Sequence, residues 1–263
     1  MPAPTDAASL IRDLPDARLD GFGAAQVAFA ANAWPMRAAE ELRSALIFRA
    51  LTRAAGAIGV EAVWLGTFAS AMRDEVRHAR LCAEVGRRLG AAPPLYDARP
   101  VRRRLATLID PRARAAALLL VEVAMGETIS MSLFRAGRRA AKEPLTRAAL
   151  SAILEDESRH QQIGWSGLAA LAPALGADDW RRLEREATSA LGAFEQQIAV
   201  PALRRLDAAA PFDPAFATLG VLSPEARADA FYAAVERAVL PRLARTGIDA
   251  ARAWRDRYRA PSA

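Results

Sequence analysis

The chain has two histidines, His78 and His160, and each closes a copy of Asp-Glu-x-Arg-His. The copies read DEVRH over 74–78 and DESRH over 156–160, so Glu75 stands three residues before His78 and Glu157 three before His160. On a helix, residues i and i+3 share a face. Each pair therefore offers a carboxylate oxygen and an imidazole nitrogen to one point. Mixed oxygen and nitrogen donors suit iron or manganese better than ions that prefer thiolate. With 15 glutamates among 263 residues, chance would put Glu at that spacing before both histidines about once in 300 sequences.

The neighbouring residues show where these faces point. Trp64, Phe68, Ala71, Glu75, His78, Cys82, Val85 and Leu89 form one stripe, and Leu150, Ile153, Leu154, Glu157, His160, Gly164, Leu168 and Leu171 form another. In both, Glu and His interrupt an apolar face that should meet a core. Unpaired buried carboxylates are costly, so such a cluster calls for cations. Two further apolar helices offer acids. Glu41 shares a face with Ser44, Ala45, Phe48 and Thr52, whereas Glu40 is rotated away. Glu127 shares a face with Leu120, Val123, Ala124, Met131 and Phe134, and with Glu157 it centres on residue 142, inside a Lys-Glu-Pro turn. Glu122 competes, because its 35-residue spacing to Glu157 resembles the 34 residues between Glu41 and Glu75. Register favours Glu127. Glu122 is left as an acid behind the ligands, or as a ligand if the helix bulges.

The expected metal ligands, and with them the catalytic set, are Glu41, Glu75, His78, Glu127, Glu157 and His160. Four carboxylates balance two divalent ions, and neutral imidazoles add no charge. A metal-bound His needs its second ring nitrogen fixed by an acceptor. Across antiparallel helices Asp74 can hold His160 and Asp156 can hold His78, with Arg77 and Arg159 holding the aspartates in turn. The competing reading of those two acids is ordinary surface pairing with arginine.

These residues need four helices. Trp34-Pro35 reads as the opening of the first, which stops near Gly56; the second spans about Val60–Leu89 and ends at Gly90. Asp110-Pro111 caps a third to about Ala140, and Leu145 to about Leu171 makes a fourth. Helices one and two are joined tightly, as are three and four, while the link between the pairs, about twenty residues with several prolines, is long. Short links make antiparallel neighbours, and a long crossover lets the third helix run parallel to the second. Further helices are expected from Asp178 to about Leu206, from Ser223 to about Arg245, and after Asp249. The expected fold is all-α: a four-helix bundle over about 35–172 with a long crossover between helices 2 and 3, plus a C-terminal helical extension over about 177–260, in a single domain covering 1–263. The stretch 69–89 aligns without gaps to a second one 82 residues later, which makes two related helix pairs and no solenoid period.

Composition narrows the classes. The net charge is +6 and the pI about 10.5, but the arginines are spread along the chain. The densest run, Arg102-Arg103-Arg104, has no nucleic-acid-binding motif beside it, so no nucleic acid is expected. The longest apolar stretch, 115–134, contains Glu122 and Glu127, so burial in protein is expected rather than a membrane span. One cysteine, Cys82, excludes an intrachain disulfide, and the first twenty residues lack the layout of a signal peptide; a cytoplasmic location is expected. Cys82, Trp64 and Trp165 read as core residues. None of Tyr96, Tyr232 and Tyr258 falls on the four helices, which speaks against a radical-storing subunit.

The two pentapeptides, with EELRSALIF around Glu41 and GETISMSLF around Glu127, resemble the non-haem di-iron carboxylate proteins of the ferritin-like superfamily. Bacterial multicomponent monooxygenase hydroxylases carry a similar doubled D-E-x-R-H, and the stretches EELRSALIF, DEVRHARLC and GETISMSLF look like a group of bacterial ferritin-like proteins without a well-defined activity. The resemblance covers about residues 35–172. This chain is much shorter than the hydroxylases, and Ile153 stands where arylamine N-oxygenases carry an extra histidine. The resemblance implies two iron ions, with manganese or a mixed Mn/Fe pair as alternatives. It also implies an oxidase or oxygenase that uses O2 on a small organic substrate by hydroxylation, N-oxygenation or desaturation. An electron donor or reductase is then the expected partner, and a homodimer is compatible. The competing readings are a ferroxidase or iron-storage protein, a di-manganese catalase, and an interaction scaffold with a structural metal.

Overall fold

The computed structural model describes residues 7–93, 95–205 and 215–259, and every regular element among them is helical. After a short α1 (Ala7–Asp13), α2 runs over Ala24–Ala57 and α3 over Ala62–Arg88. The crossover holds α4 (Arg99–Thr107), and then come α5 (Pro111–Ala140) and α6 (Pro144–Leu171). The C-terminal part contains α7 (Ala177–Ile198), α8 (Val200–Arg205), α9 (Ala215–Thr218), α10 (residues 224–245) and α11 (Ala250–Arg255). The end expected near Leu206 and the limit at residue 260 lie outside the described residues, as do residues 1–6 of the leader reading.

Local chemistry explains most boundaries. Asp110 accepts the Ala113 N–H at 2.7 Å and starts α5 as the sequence indicates. Glu143 opens α6 by accepting the N–H groups of Leu145 and Thr146 at 3.1 and 2.7 Å. Ser223 and Asp249 cap α10 and α11 in the same way.

Two expectations need correction. Pro35 does not open the first long helix, which begins at Ala24, where the Gln26 side chain bonds back to the Gly23 N–H at 2.9 Å. An internal proline removes one backbone bond. Here its ring lies against Gly86 of α3, where an added Cβ would stand 3.0 Å from Pro35 Cδ. Next, Asp178 does not cap α7; Gly176 does, and Asp179 accepts its N–H at 2.9 Å. The crossover holds one helix of its own, the amphipathic α4, which buries Val101.

The four long helices α2, α3, α5 and α6 pack side by side, α2 on α3, α3 on α6, α6 on α5 and α5 on α2. Ala55, Ile58 and Trp64 line one cavity with Asp110, Ala115 and Leu171. The end of α2 and the start of α3 therefore sit beside the start of α5 and the end of α6. So α3 and α5 run in the same direction and the crossover spans the length of the helices. The C-terminal helices share the core, which includes Leu191 of α7, Phe231 of α10 and Ala253 of α11 together with Phe48, Phe68 and Leu120. α5 is long and apolar enough to cross a membrane, but 67% of its most apolar window is buried in this protein.

One departure from regular geometry sits in the middle of α5. Leu118–Gly126 is a π-helical segment, with backbone bonds one residue wider than α. Gly164 of α6 meets it directly: a Cβ there would lie 2.4 Å from Ala124 N and 2.5 Å from its Cα. Only glycine permits this backbone approach.

Candidate metal centre

The stripes on α3 and α6 face inward, and the structure brings all six expected ligands together. Glu41, Glu75, His78, Glu127, Glu157 and His160 are each between 0 and 6% exposed. They form two overlapping groups. Glu41, Glu75, His78 and Glu157 present donor atoms within 4.8 Å of one another, and so do Glu75, Glu127, Glu157 and His160. Glu75 and Glu157 belong to both. Either group could hold a metal ion.

The histidines are oriented alike. His78 Nδ1 faces the acids, 3.3 Å from Glu157 Oε1 and 3.7 Å from Glu41 Oε2. His160 Nδ1 lies 2.7 Å from Glu75 Oε1, though not in line for a hydrogen bond. The other ring nitrogens point away. His78 Nε2 donates to Asp156 at 3.1 Å, and His160 Nε2 meets Asp74 at 3.4 Å. Each aspartate thus serves the histidine of the other pentapeptide. Arg77 bonds Asp74 at 2.8 Å and also Asp156, while Arg159 bonds Asp156 and reaches Asp74 at 3.4 Å. The four side chains form a ring outside the histidines. Holding Nε2–H in this way leaves the Nδ1 lone pair free for a cation.

Electrostatics show what the cluster lacks. Burial, joined by the neighbouring carboxylates, drives the Glu41 and Glu127 acids well above the ordinary carboxylate range, although His78 and His160 pull the other way. Burial works to raise Glu75 too, but the adjacent His160 and His78 outweigh it and hold that carboxyl low. Burial opposes charge on both histidines, yet the surrounding acids lift His78 and His160 well above the usual imidazole value. Without a cation the cluster must therefore recruit protons. Even so, Glu75 Oε1 and Oε2, His78 Nδ1, Glu157 Oε2 and His160 Nδ1 are buried with no hydrogen-bond partner. Buried polar atoms are rarely left unpaired. Orphaned atoms that all belong to the donor set fit a metal ion.

Glu122 does not join the cluster; it pairs with Arg43 of α2. The π segment ends at Gly126, so Glu127 follows it directly and turns inward. Next to it, Thr128 accepts from Gln161 Nε2 at 3.2 Å and Trp165 Nε1 at 3.1 Å, while donating to the Ala124 carbonyl at 2.6 Å. Sequence reading missed Arg43, Thr128 and Gln161. Arg43 is one of four arginines on α2 and only the fold pairs it with Glu122, and Thr128 carries no pattern of its own. Cys82 is fully buried and its thiol is pushed up by burial, as for a core residue.

A cavity of about 200 Å³ opens on the α2–α5 side of the centre. Glu41 and Glu127 line its inner end, and Ile129, Leu133, Phe194 and Ile198 supply apolar wall. In comparisons with known proteins, no family model matches the chain and no curated protein matches it.

Proposed function

We propose that this chain is a ferritin-like di-iron carboxylate protein, an oxidase or oxygenase that uses O2 to oxidise a small organic substrate. The observation that carries the reading is the pair of overlapping donor groups, sharing Glu75 and Glu157, at the end of a part-apolar cavity. The packing of α2, α3, α5 and α6, with a crossover that makes α3 and α5 parallel, supports the ferritin-like assignment. Bound iron would supply the reduction of O2 and the oxidising power.

The protein's own residues have separate tasks. Glu41, Glu75, His78 and Glu157 would hold one ion, and Glu75, Glu127, Glu157 and His160 a second. Asp156 and Asp74 fix the imidazole tautomers. Proton release accompanies metal uptake, because the cluster holds protons where the ions would sit. The apolar wall formed by Ile129, Leu133 and Phe194 would shield the substrate from water and orient it toward the Glu41 and Glu127 edge. Electrons must come from a separate donor protein or small reductant.

Metal analysis of the native protein, followed by O2 consumption with ferredoxin, flavodoxin and dithionite-reduced mediators, tests this. Two iron ions per chain and reductant-dependent uptake of O2 are expected. Two manganese ions with peroxide disproportionation, or a multi-subunit cage that accumulates iron, would replace the reading.

A further inference from the structure

The cavity beside the centre carries two arginines that the metal chemistry does not use. Its charged lining has a simple balance. Arg43 is paired with Glu122. Glu41 and Glu127 face the metal centre. Glu40 is exposed at the rim and forms no ion pair among the described residues. Arg37 and Arg227 remain, and neither has a carboxylate partner among the described residues.

Arg37 is held in place. Its guanidinium lies 4.6 Å from the Trp34 ring centroid, and Nη2 donates to the Gly220 carbonyl at 2.6 Å. Nη1 is out of solvent with no hydrogen-bond partner. Arg227, half-buried on α10, makes no side-chain hydrogen bond among the described residues. Desolvation lowers the pKa of both and Arg227 adds like-charge repulsion at Arg37, while Cys82 and Glu41 at Arg37 and Glu40 at Arg227 pull the other way without an ion-pair contact. Two unpaired guanidiniums on one small cavity, one of them fixed with a free N–H, describe the recognition of an anion. A planar carboxylate matches this donor geometry.

We propose that the cavity binds a small organic acid, its carboxylate on Arg37 and Arg227 and its apolar body laid toward Glu41 and Glu127. The orientation rests on the function proposed above; the acid itself rests on the two arginines alone. Size limits the ligand. A cavity of about 150 Å³ holds benzene, so about 200 Å³ takes one ring or a short chain with its carboxylate. Arg37 and Glu41 are one helical turn apart, about 6 Å of rise. Carbons a few bonds from the carboxylate would therefore lie against the centre.

Calorimetric titration of the full chain, loaded with Mn(II) so that O2 chemistry does not intervene, tests the idea. The probes are benzoate against benzamide and hexanoate against hexanamide. Each acid should bind roughly 10- to 100-fold more tightly than its amide, the worth of one charge-assisted hydrogen bond. Arg37→Leu and Arg227→Gln should each remove most of that preference and leave amide binding nearly unchanged. Arg227 makes no side-chain hydrogen bond or ion pair among the described residues, so its variant remains informative if Arg37→Leu fails to fold. Equal binding of acid and amide, no binding of either acid at millimolar concentration, or a preference that survives both substitutions would overturn the proposal. Metal content measured on the same samples separates the two readings. A chain that takes up no metal but prefers acids through Arg37 loses only the di-iron function. A loaded chain indifferent to charge loses only the acid.

Discussion

The two faces of the candidate metal centre are built on different plans. On the α3–α6 face everything comes in pairs: two Glu-x-x-His sets, two aspartates each holding the opposite histidine, and two arginines between the aspartates. On the α2–α5 face the partners differ. α2 delivers Glu41 from a continuous α-helix, whereas α5 delivers Glu127 from the residue after a nine-residue π segment. The unpaired face opens into the cavity. Holding ions is a task two copies of one motif perform equally well. On the proposed function, admitting a substrate to one side would require the copies to diverge, and they differ in α5, where the π segment replaces the continuous helix of α2.

The largest test breaks that divergence. Cys82 and Gly164 are equivalent positions, at the same offset of 82 that superposes the pentapeptides. Cys82 is fully buried within the core cluster that also holds Val85 and Trp34, while Gly164 touches the backbone of the π segment. Gly164→Cys should cost at least about 3 kcal/mol, because the atoms it meets are main chain and cannot rotate aside. Cys82→Gly should cost about 2 kcal/mol through helix propensity and a small cavity. Urea unfolding of both variants checks the order. If Gly164→Cys is the milder, α5 is not pinned by α6 as described.

The next largest effect concerns the shared acids. Glu75 and Glu157 belong to both donor groups, but Glu41 and Glu127 belong to one each. Glu75→Gln or Glu157→Gln should leave the chain with no tightly bound ion. Glu41→Gln and Glu127→Gln should each retain one. Metal stoichiometry after dialysis decides this, and equal loss in all four variants would mean a single ion shared by the whole cluster.

A third test stays on the paired face. Asp156→Asn and Asp74→Asn should each weaken metal binding by about 10- to 100-fold, the usual cost of losing the acceptor behind a histidine. Asp156 should matter more, since it lies 3.1 Å from His78 Nε2 against 3.4 Å for Asp74 and His160. Competition with a chelator measures both. Equal losses would make the pairs alike in energy despite their geometry, and a reversed order would mean that the shorter contact is not the stronger one.

The paired face was the legible one. Scarce histidine, the i, i+3 spacing and the apolar stripe identify Glu75, His78, Glu157 and His160, and the repeat itself suggests the crossed aspartates. The other face was harder for physical reasons. LLLVEVAMG is apolar all round, so no periodicity marks where α gives way to π or decides between Glu122 and Glu127. The structure places Glu127 inward and gives Glu122 to Arg43, a choice made by the π segment and by a long-range pair. Pro35 misled about the start of α2 because local stereochemistry argues for a first turn, whereas its packing on Gly86 is a tertiary fact. Arg37 stood one turn before Glu41, but one arginine among many carries no signal until the cavity beside it is visible.

The smallest expected effect tests how equal the paired face is. Arg77 is 11% exposed and bonds both aspartates, while Arg159 is 52% exposed and holds Asp74 only at 3.4 Å. Removing a half-solvated ion pair costs about 0.5 kcal/mol, because water and salt already screen it. Removing a desolvated arginine leaves two carboxylates facing each other and costs about 3 kcal/mol. Arg159→Gln should therefore barely shift the unfolding midpoint of the metal-free chain, and Arg77→Gln should lower it clearly. The difference should shrink in the loaded protein, where the cations beyond His78 and His160 offset some of the exposed negative charge on Asp74 and Asp156. Equal effects for Arg77 and Arg159 would mean that the ring is held by its symmetry and not by the drier of its two arginines.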